Sequence, residues 1–252
     1  MSVVDLVPTN TNREATLGRW GTEAVGFATV RDAVYGSVHN TIFDLALGTF
    51  WNTATNRIYV YRTFIQFPVP SGTSTSGKKA TLKLYARANS YPRQVGPAAP
   101  YIHDDVDVPD IQVFECDSIP NITSAKRYVY SSFTSTSYSS QVTGISSEGG
   151  WLEIELNSDA LTAIGNAAGS TFDLCIREYA HDIGNSDPGI SSGRVYFLQF
   201  ASMKVTELKP RITIADEGFN HNLLGIAKTS ISKVNDVSMA SPQHIERIND
   251  VQ

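Results

Sequence analysis

From Lys79 to Tyr85 apolar and polar residues alternate: Ala80, Leu82 and Leu84 against Lys79, Thr81, Lys83 and Tyr85. A period of two predicts a strand with one buried and one wet face. The preceding run, Tyr59 to Phe67, is rich in β-branched and aromatic residues and alternates less cleanly. That pattern predicts a central strand covered on both faces. Pro68 and Pro70 cannot donate to a ladder and close this run at Phe67. Trp151 to Leu156 alternates again, with Trp151, Glu153 and Glu155 opposite Leu152, Ile154 and Leu156. Further strands are predicted over Phe27 to Tyr35, within Asn40 to Asn56, and over Ile111 to Cys116, Phe172 to Tyr179, Arg194 to Ala201 and Arg211 to Ile214. Tyr128 to Gln141 reads as a twisted edge strand or an ordered loop.

One segment carries a helical period. Leu161, Ile164 and Ala168 share a face, Asn157, Ser158 or Asp159 supplies a cap, and Gly169 supplies the stop. Eight or nine short strands with turns between them predict an all-β, antiparallel sandwich of jelly-roll type with one short helix. Residues 1–25, of weak periodicity, read as an N-terminal arm, 26–214 as the sandwich, and 215–252 as a tail.

The tail repeats itself. Ile231-Ser-Lys-Val-Asn-Asp-Val237 is echoed 14 residues later by Ile245-Glu-Arg-Ile-Asn-Asp-Val251. Neither unit is long enough to bury its own apolar residues, so a true repeat must pack on another copy or another chain; the competing reading is two chance matches in a disordered tail. Ile231, Val234, Val237, Ile245, Ile248 and Val251 are the candidate contacts for oligomerisation or docking.

Composition narrows the function. The 252-residue chain has a net charge of -5, which argues against a general nucleic-acid binder. No apolar run approaches the roughly 20 residues needed for a membrane span. Met1 to Asn12 is polar, and no Sec-type signal is read there. Cys116 and Cys175 are too few for a disulfide framework and sit in strand-like runs, as buried thiols do.

The long loop between Ala88 and Asp110 carries Asp104, Asp105, Asp107 and Asp110. Carboxylates at alternate positions suit calcium; the competing reading is a solvated loop. Asp182 to Asp187 offers carbonyl ligands or is only a turn. Trp51, Tyr91, Tyr101, Tyr130 and Tyr138 fall in loop-like or edge stretches, where flat rings can stack on sugar faces or cover the edge of the core. Catalysis finds little support, and no enzyme is expected. There is no Gly-x-Ser-x-Gly elbow, and no histidine has a nucleophile beside it. Glu153 and Glu155 share a strand face, where a wet surface is simpler than a glycosidase pair.

The strings Tyr61-Arg-Thr-Phe-Ile-Gln-Phe67, Ala80-Thr-Leu-Lys-Leu-Tyr85, Gly150-Trp-Leu-Glu-Ile-Glu-Leu156, Phe200-Ala-Ser202 and Lys209-Pro-Arg-Ile212 occur in an order that resembles the DNRLRE-type β-sandwich family, whose domains are related to carbohydrate-binding modules. The departure is at Gln66-Phe67-Pro68, where an Asp usually follows the Phe. The tail resembles short Ile-x-Lys-Val-Asn-Gly-Val repeats at the ends of bacteriophage virion proteins, with Asp236 and Asp250 in place of Gly. The combination implies a virion structural protein of a fibre, tail tip or capsid decoration. It also implies partners among other virion proteins, homo-oligomerisation with a trimer favoured, and contact with host-surface carbohydrate. The alternative is a glycan-binding module of a bacterial secreted or surface protein.

Overall fold

A computed structural model describes residues 3–9, 14–38, 44–52, 56–88, 106–117, 128–129, 131, 133–189, 195–216, 233–234 and 237–238. Among the described residues fourteen strands join one open, almost wholly antiparallel sheet, which folds into two layers. The first layer is β11 (Gly150–Leu156), β6 (Lys78–Ala86), β14 (Arg211–Asp216) and β1 (Val4–Leu6), in that order. The second runs β13 (Val195–Ala201), β4 (Asp44–Asn52), β5 (Arg57–Pro68), β12 (Thr171–Glu178), β8 (Ile111–Cys116) and β10 (Phe133–Ser137). Among the described residues the register pair Phe200 with Ala86 joins the layers, beside a bond from the Arg87 N–H to the Gln199 carbonyl at 2.9 Å. β7 (Val106–Asp107) lies parallel to β13. Leu82, Leu84, Ile154 and Ile212 of the first layer meet Leu47, Phe67, Val113, Leu174 and Phe200 of the second in one core. This is the expected all-β sandwich.

The two strands with the clearest sequence patterns are the ones that organise the fold. In β6 every second residue from Ala80 to Ala86 is buried. In β5 everything from Tyr61 to Ile65 is buried. β2 (Glu14–Thr22) pairs with residues 57–65 of β5 and β4 pairs with 57–61, so the two lie on opposite edges. β12 then takes over from β4 along residues 63–68. The odd positions Ile65 and Phe67 enter the main core. The even positions Ile58, Val60 and Phe64 enter a second cluster, with Leu17, Phe27, Val30, Trp51, Cys116 and Cys175.

Three expectations are corrected. Residues 1–25 are not an arm: β1 and β2 are sheet strands, and Ala15 and Leu17 are buried against β5. Phe27 to Tyr35 is not one strand. It forms the short helix α1 (Phe27–Arg31), whose Phe27 and Val30 cover the second cluster, before β3 (Tyr35–Val38) pairs with β2 and with β9 (Tyr128–Val129). The sandwich extends past residue 214, because Ala215 and Asp216 pair with Lys79 and Lys78 and Asp216 bonds the Lys78 ammonium at 2.9 Å. Helix α2 (Ser158–Asn166) forms as expected. The Asn157 side chain accepts from the N–H groups of Asp159 and Ala160, and Gly169 follows at a φ of 81°. In the tail, β15 (Lys233–Val234) pairs with β16 (Val237–Ser238), with Val234 opposite Val237. Among the described residues no helix is long and apolar enough to cross a membrane.

Candidate functional site

Two surfaces of the sandwich gather polar and aromatic side chains. The first is the wet face of β11, β6 and β14. Alternation puts Trp151, Glu153 and Glu155 outward, and the register sets them opposite Tyr85, Lys83 and Thr81. Trp151 remains 42% exposed although its ring is held on two sides. The indole and the Tyr85 ring meet edge to face, 5.5 Å apart at 83°, and the Arg211 guanidinium sits 4.8 Å from the indole centroid. Lys83 donates to Glu153 at 2.6 Å and Lys79 to Glu155 at 3.1 Å. These carboxylates are members of a surface ion-pair ladder. The arrangement is a flat, rigid, amphipathic plate, which suits the apolar face of a sugar ring flanked by polar groups for its hydroxyls.

The second surface lies over the other side of β5 and β12. Arg62 on β5 and Arg177 on β12 both reach Asp182, which is delivered by a wide helical turn, Tyr179–Ile183. Glu178 fixes that turn by accepting from the N–H groups of Ala180, His181 and Asp182 at 2.7, 2.8 and 2.9 Å. Each oxygen of Asp182 accepts from both arginines, at 2.6 and 2.8 Å from Arg62 and 3.0 Å twice from Arg177. Arg177 also donates to the Asp182 carbonyl and Arg62 to the Arg31 carbonyl. The ring of Phe133 lies 4.0 Å from the Arg177 guanidinium and 4.7 Å from that of Arg62. Burial alone would raise the carboxyl of Asp182, but the two guanidiniums overcome it and hold the pKa at about 2. With all its acceptor positions taken, this carboxylate has no capacity left to act as a general base.

A cleft of about 460 Å³ opens over this cluster. Arg31 stands at its rim, donating to both oxygens of Asp32 at 2.7 Å. That contact raises the pKa of Arg31 and lowers that of Asp32.

The aromatic residues singled out in the sequence do not make either surface. Trp51 is buried in the second cluster, packed with Leu17 and Ile58, and Tyr138 is buried with its ring stacked on Phe172 at 5.2 Å. Neither presents a face to a sugar, which corrects the expectation for both. Tyr91, Tyr101 and Tyr130 lie outside the described residues, as do Asp104 and Asp105. Asp107 is in β7, and Asp110 accepts from the Gln141 amide at 2.8 Å. Among the described residues no group of three or more His, Cys, Asp or Glu is placed to hold a metal ion. Of the tail residues, Val234 and Val237 are paired as above, while Ile231, Ile245, Ile248 and Val251 are outside the described residues. Cys116 and Cys175 are buried free thiols on neighbouring strands, and burial pushes Cys175 up to about 12.

The residues missed left different traces. Trp151 was legible as an outward position on β11, and its partners Tyr85 and Arg211 follow once the strand order is known. Arg62 and Asp182 are 120 residues apart in sequence, so no local signal links them. No protein-family model matches the chain, and no curated protein matches it significantly.

Proposed function

We propose that this chain is a structural component of a bacteriophage virion, in a fibre, tail tip or capsid decoration, whose sandwich engages host-surface glycans. The observation that supports the glycan role is the Trp151 plate. A large exposed indole is braced by Tyr85 and Arg211 and bordered by the Glu153–Lys83 pair. Bracing lowers the entropy lost on binding, because the ring is already in place. The strand pairing of the first tail repeat supports a docking role, since so small a hairpin is at best marginally stable alone. Several copies joined through the tail would convert weak single-site contacts into avidity.

The test is binding of the purified chain to host cell-surface polysaccharide. Trp151→Ala should weaken binding roughly tenfold or more while leaving the melting temperature within a few degrees. Unchanged binding by that variant would remove the plate from the reading. For the tail, light scattering should show a smaller mass for a chain ending at Asp216 than for the full chain. The same oligomer from both would remove the docking role.

A further inference from the structure

We infer that the free edge of β11 takes up an extended segment of a partner protein as an added strand, with Lys or Arg facing Glu153 and Glu155 and apolar residues between them. The inference does not depend on the glycan reading. β11 ends the first layer: it pairs with β6 on one side, and no described strand lies on the other. A groove of about 470 Å³ runs along that open side, with residues 153–157 as one wall and residues 139–142 as the other. Inward and outward positions of β11 both line it, so the wall is the edge of the strand and not one of its faces. A wall of five residues is about 14 Å long at the rise of a strand.

The closed end of the groove shows where the main-chain groups of β11 point. The Asn157 N–H donates to the Tyr138 carbonyl at 2.9 Å, and the Asn157 side-chain amide donates to the Ser137 carbonyl at 2.7 Å. Main-chain groups alternate between the two edges of an extended strand, so the N–H and C=O of Glu155 and Glu153 point the same way as the Asn157 N–H, into the groove. On the far wall the N–H groups of Ser140 and Gln141 make no hydrogen bond among the described residues. Unpaired groups along an open edge are a template for another strand.

The side chains decide which strand. Glu153 and Glu155 each give Oε1 to a lysine of β6, yet both remain exposed, and no cation is among the described residues lining the groove. A basic residue opposite each carries the alternation of charge one strand further. The intervening positions turn to the other face, where Leu152 and Val142 are half-buried at the margin of the main core and take apolar neighbours. A second copy of the same edge is a poor occupant, because glutamate would oppose glutamate. The tail repeats are poor ones too: their apolar residues Ile231, Val234 and Val237 recur every third position and not every second.

The experiment is titration of the full chain with a peptide of alternating lysine and valine, about ten residues long. Amide hydrogen exchange is followed by NMR. The peptide should bind and slow exchange at the Glu153 and Glu155 amides. A glutamate–valine peptide should bind at least about fivefold more weakly. A lysine–valine peptide N-methylated at its lysines should not bind, since it cannot donate to the edge. Glu153→Lys combined with Glu155→Lys should reverse the preference between the two charged peptides. No binding of the lysine–valine peptide, or binding that leaves both amides unprotected, would overturn the inference. Equal affinity for the two charged peptides would overturn the basic partner. Protection of the same amides by raising the concentration of the chain alone would make the occupant a second copy, and overturn it likewise.

Discussion

Two ion pairs in this molecule have the same length and opposite settings. Arg62 and Asp182 meet at 2.6 Å with both side chains almost wholly withdrawn from water. Lys83 and Glu153 also meet at 2.6 Å, but on the outer face of the sandwich, where the Glu153 side chain is 58% exposed. The distance is therefore a poor guide to what each pair contributes. On the surface either partner can be lost and water solvates the other. In the clasp, losing the acid strands two guanidiniums in a place of low dielectric. The contrast also separates roles. The exposed ladder frames Trp151 and is free to exchange partners with a ligand. The clasp fixes the turn after β12 to the centre of the second layer.

The largest expected effect comes from breaking the clasp on one side. Asp182→Asn keeps the shape and removes the charge, and should destabilise the fold by about 3–5 kcal/mol. Chemical denaturation measures this as a lower midpoint. Replacing Arg62, Asp182 and Arg177 together by apolar residues of similar volume should cost far less, since no charge is left unpaired. A single substitution as mild as the triple one would show that the clasp is solvated and that the contrast is false.

A second buried carboxylate sharpens the comparison because its balance falls the other way. Burial pushes Glu14 up from 4.5 to about 7, although the Met203 N–H donates to both oxygens at 3.0 Å and the charges of Lys204 and Lys209 pull in the opposite direction. Because the folded pKa is the higher one, this group binds its proton more tightly in the folded state. Its stabilising effect is complete below about pH 4.5 and is lost as the pH rises through about 7. The loss is at most about 3 kcal/mol. Glu178, raised in the same direction by burial, adds to that slope.

Asp182, lowered from 3.8 to about 2, has the reverse sign. Its contribution of about 2 kcal/mol is present above the unfolded value and is lost as the pH falls toward 2. A pH series of denaturation midpoints should therefore fall at both ends. Glu14→Gln should flatten the neutral limb, and Asp182→Asn the acid one. A Glu14→Gln variant that kept the full neutral slope would show that Glu14 is not its source.

The same environmental effect explains how much could be read from the sequence. β6 and β11 were legible because a strand with one wet face writes a period of two. β5 was legible because its run of apolar residues lost that period, and α2 because Asn157 and Gly169 mark its ends. β2 was hidden by Gly18 and Gly21 and by an acid, Glu14, at a position that is buried in the fold. α1 was hidden because five residues with a β-branched valine do not complete a helical period. Trp51 and Tyr138 sit among Asn, Ser and Thr, which made them look exposed; the cover comes from other elements, in Leu17 for one and Phe172 for the other. The clasp was illegible for the same reason. A charged residue in a strand reads as a wet position until its distant partner is known.

The smallest effect expected belongs to the surface pair. A double-mutant cycle on Lys83→Ala and Glu153→Ala should give a coupling of less than about 1 kcal/mol, in spite of the 2.6 Å contact. Holding two flexible side chains together costs entropy, and water screens what remains. In 1 M salt the screening length falls to about 3 Å, so the coupling should vanish. Denaturation of the Asp182→Asn variant should keep most of its deficit under the same conditions, because mobile ions do not reach a buried carboxylate. A surface coupling above about 2 kcal/mol, or one that survived salt, would mean that the Trp151 plate is less hydrated than its exposure indicates. The ladder would then belong to the rigid frame of the sandwich and could not give up its partners to a ligand.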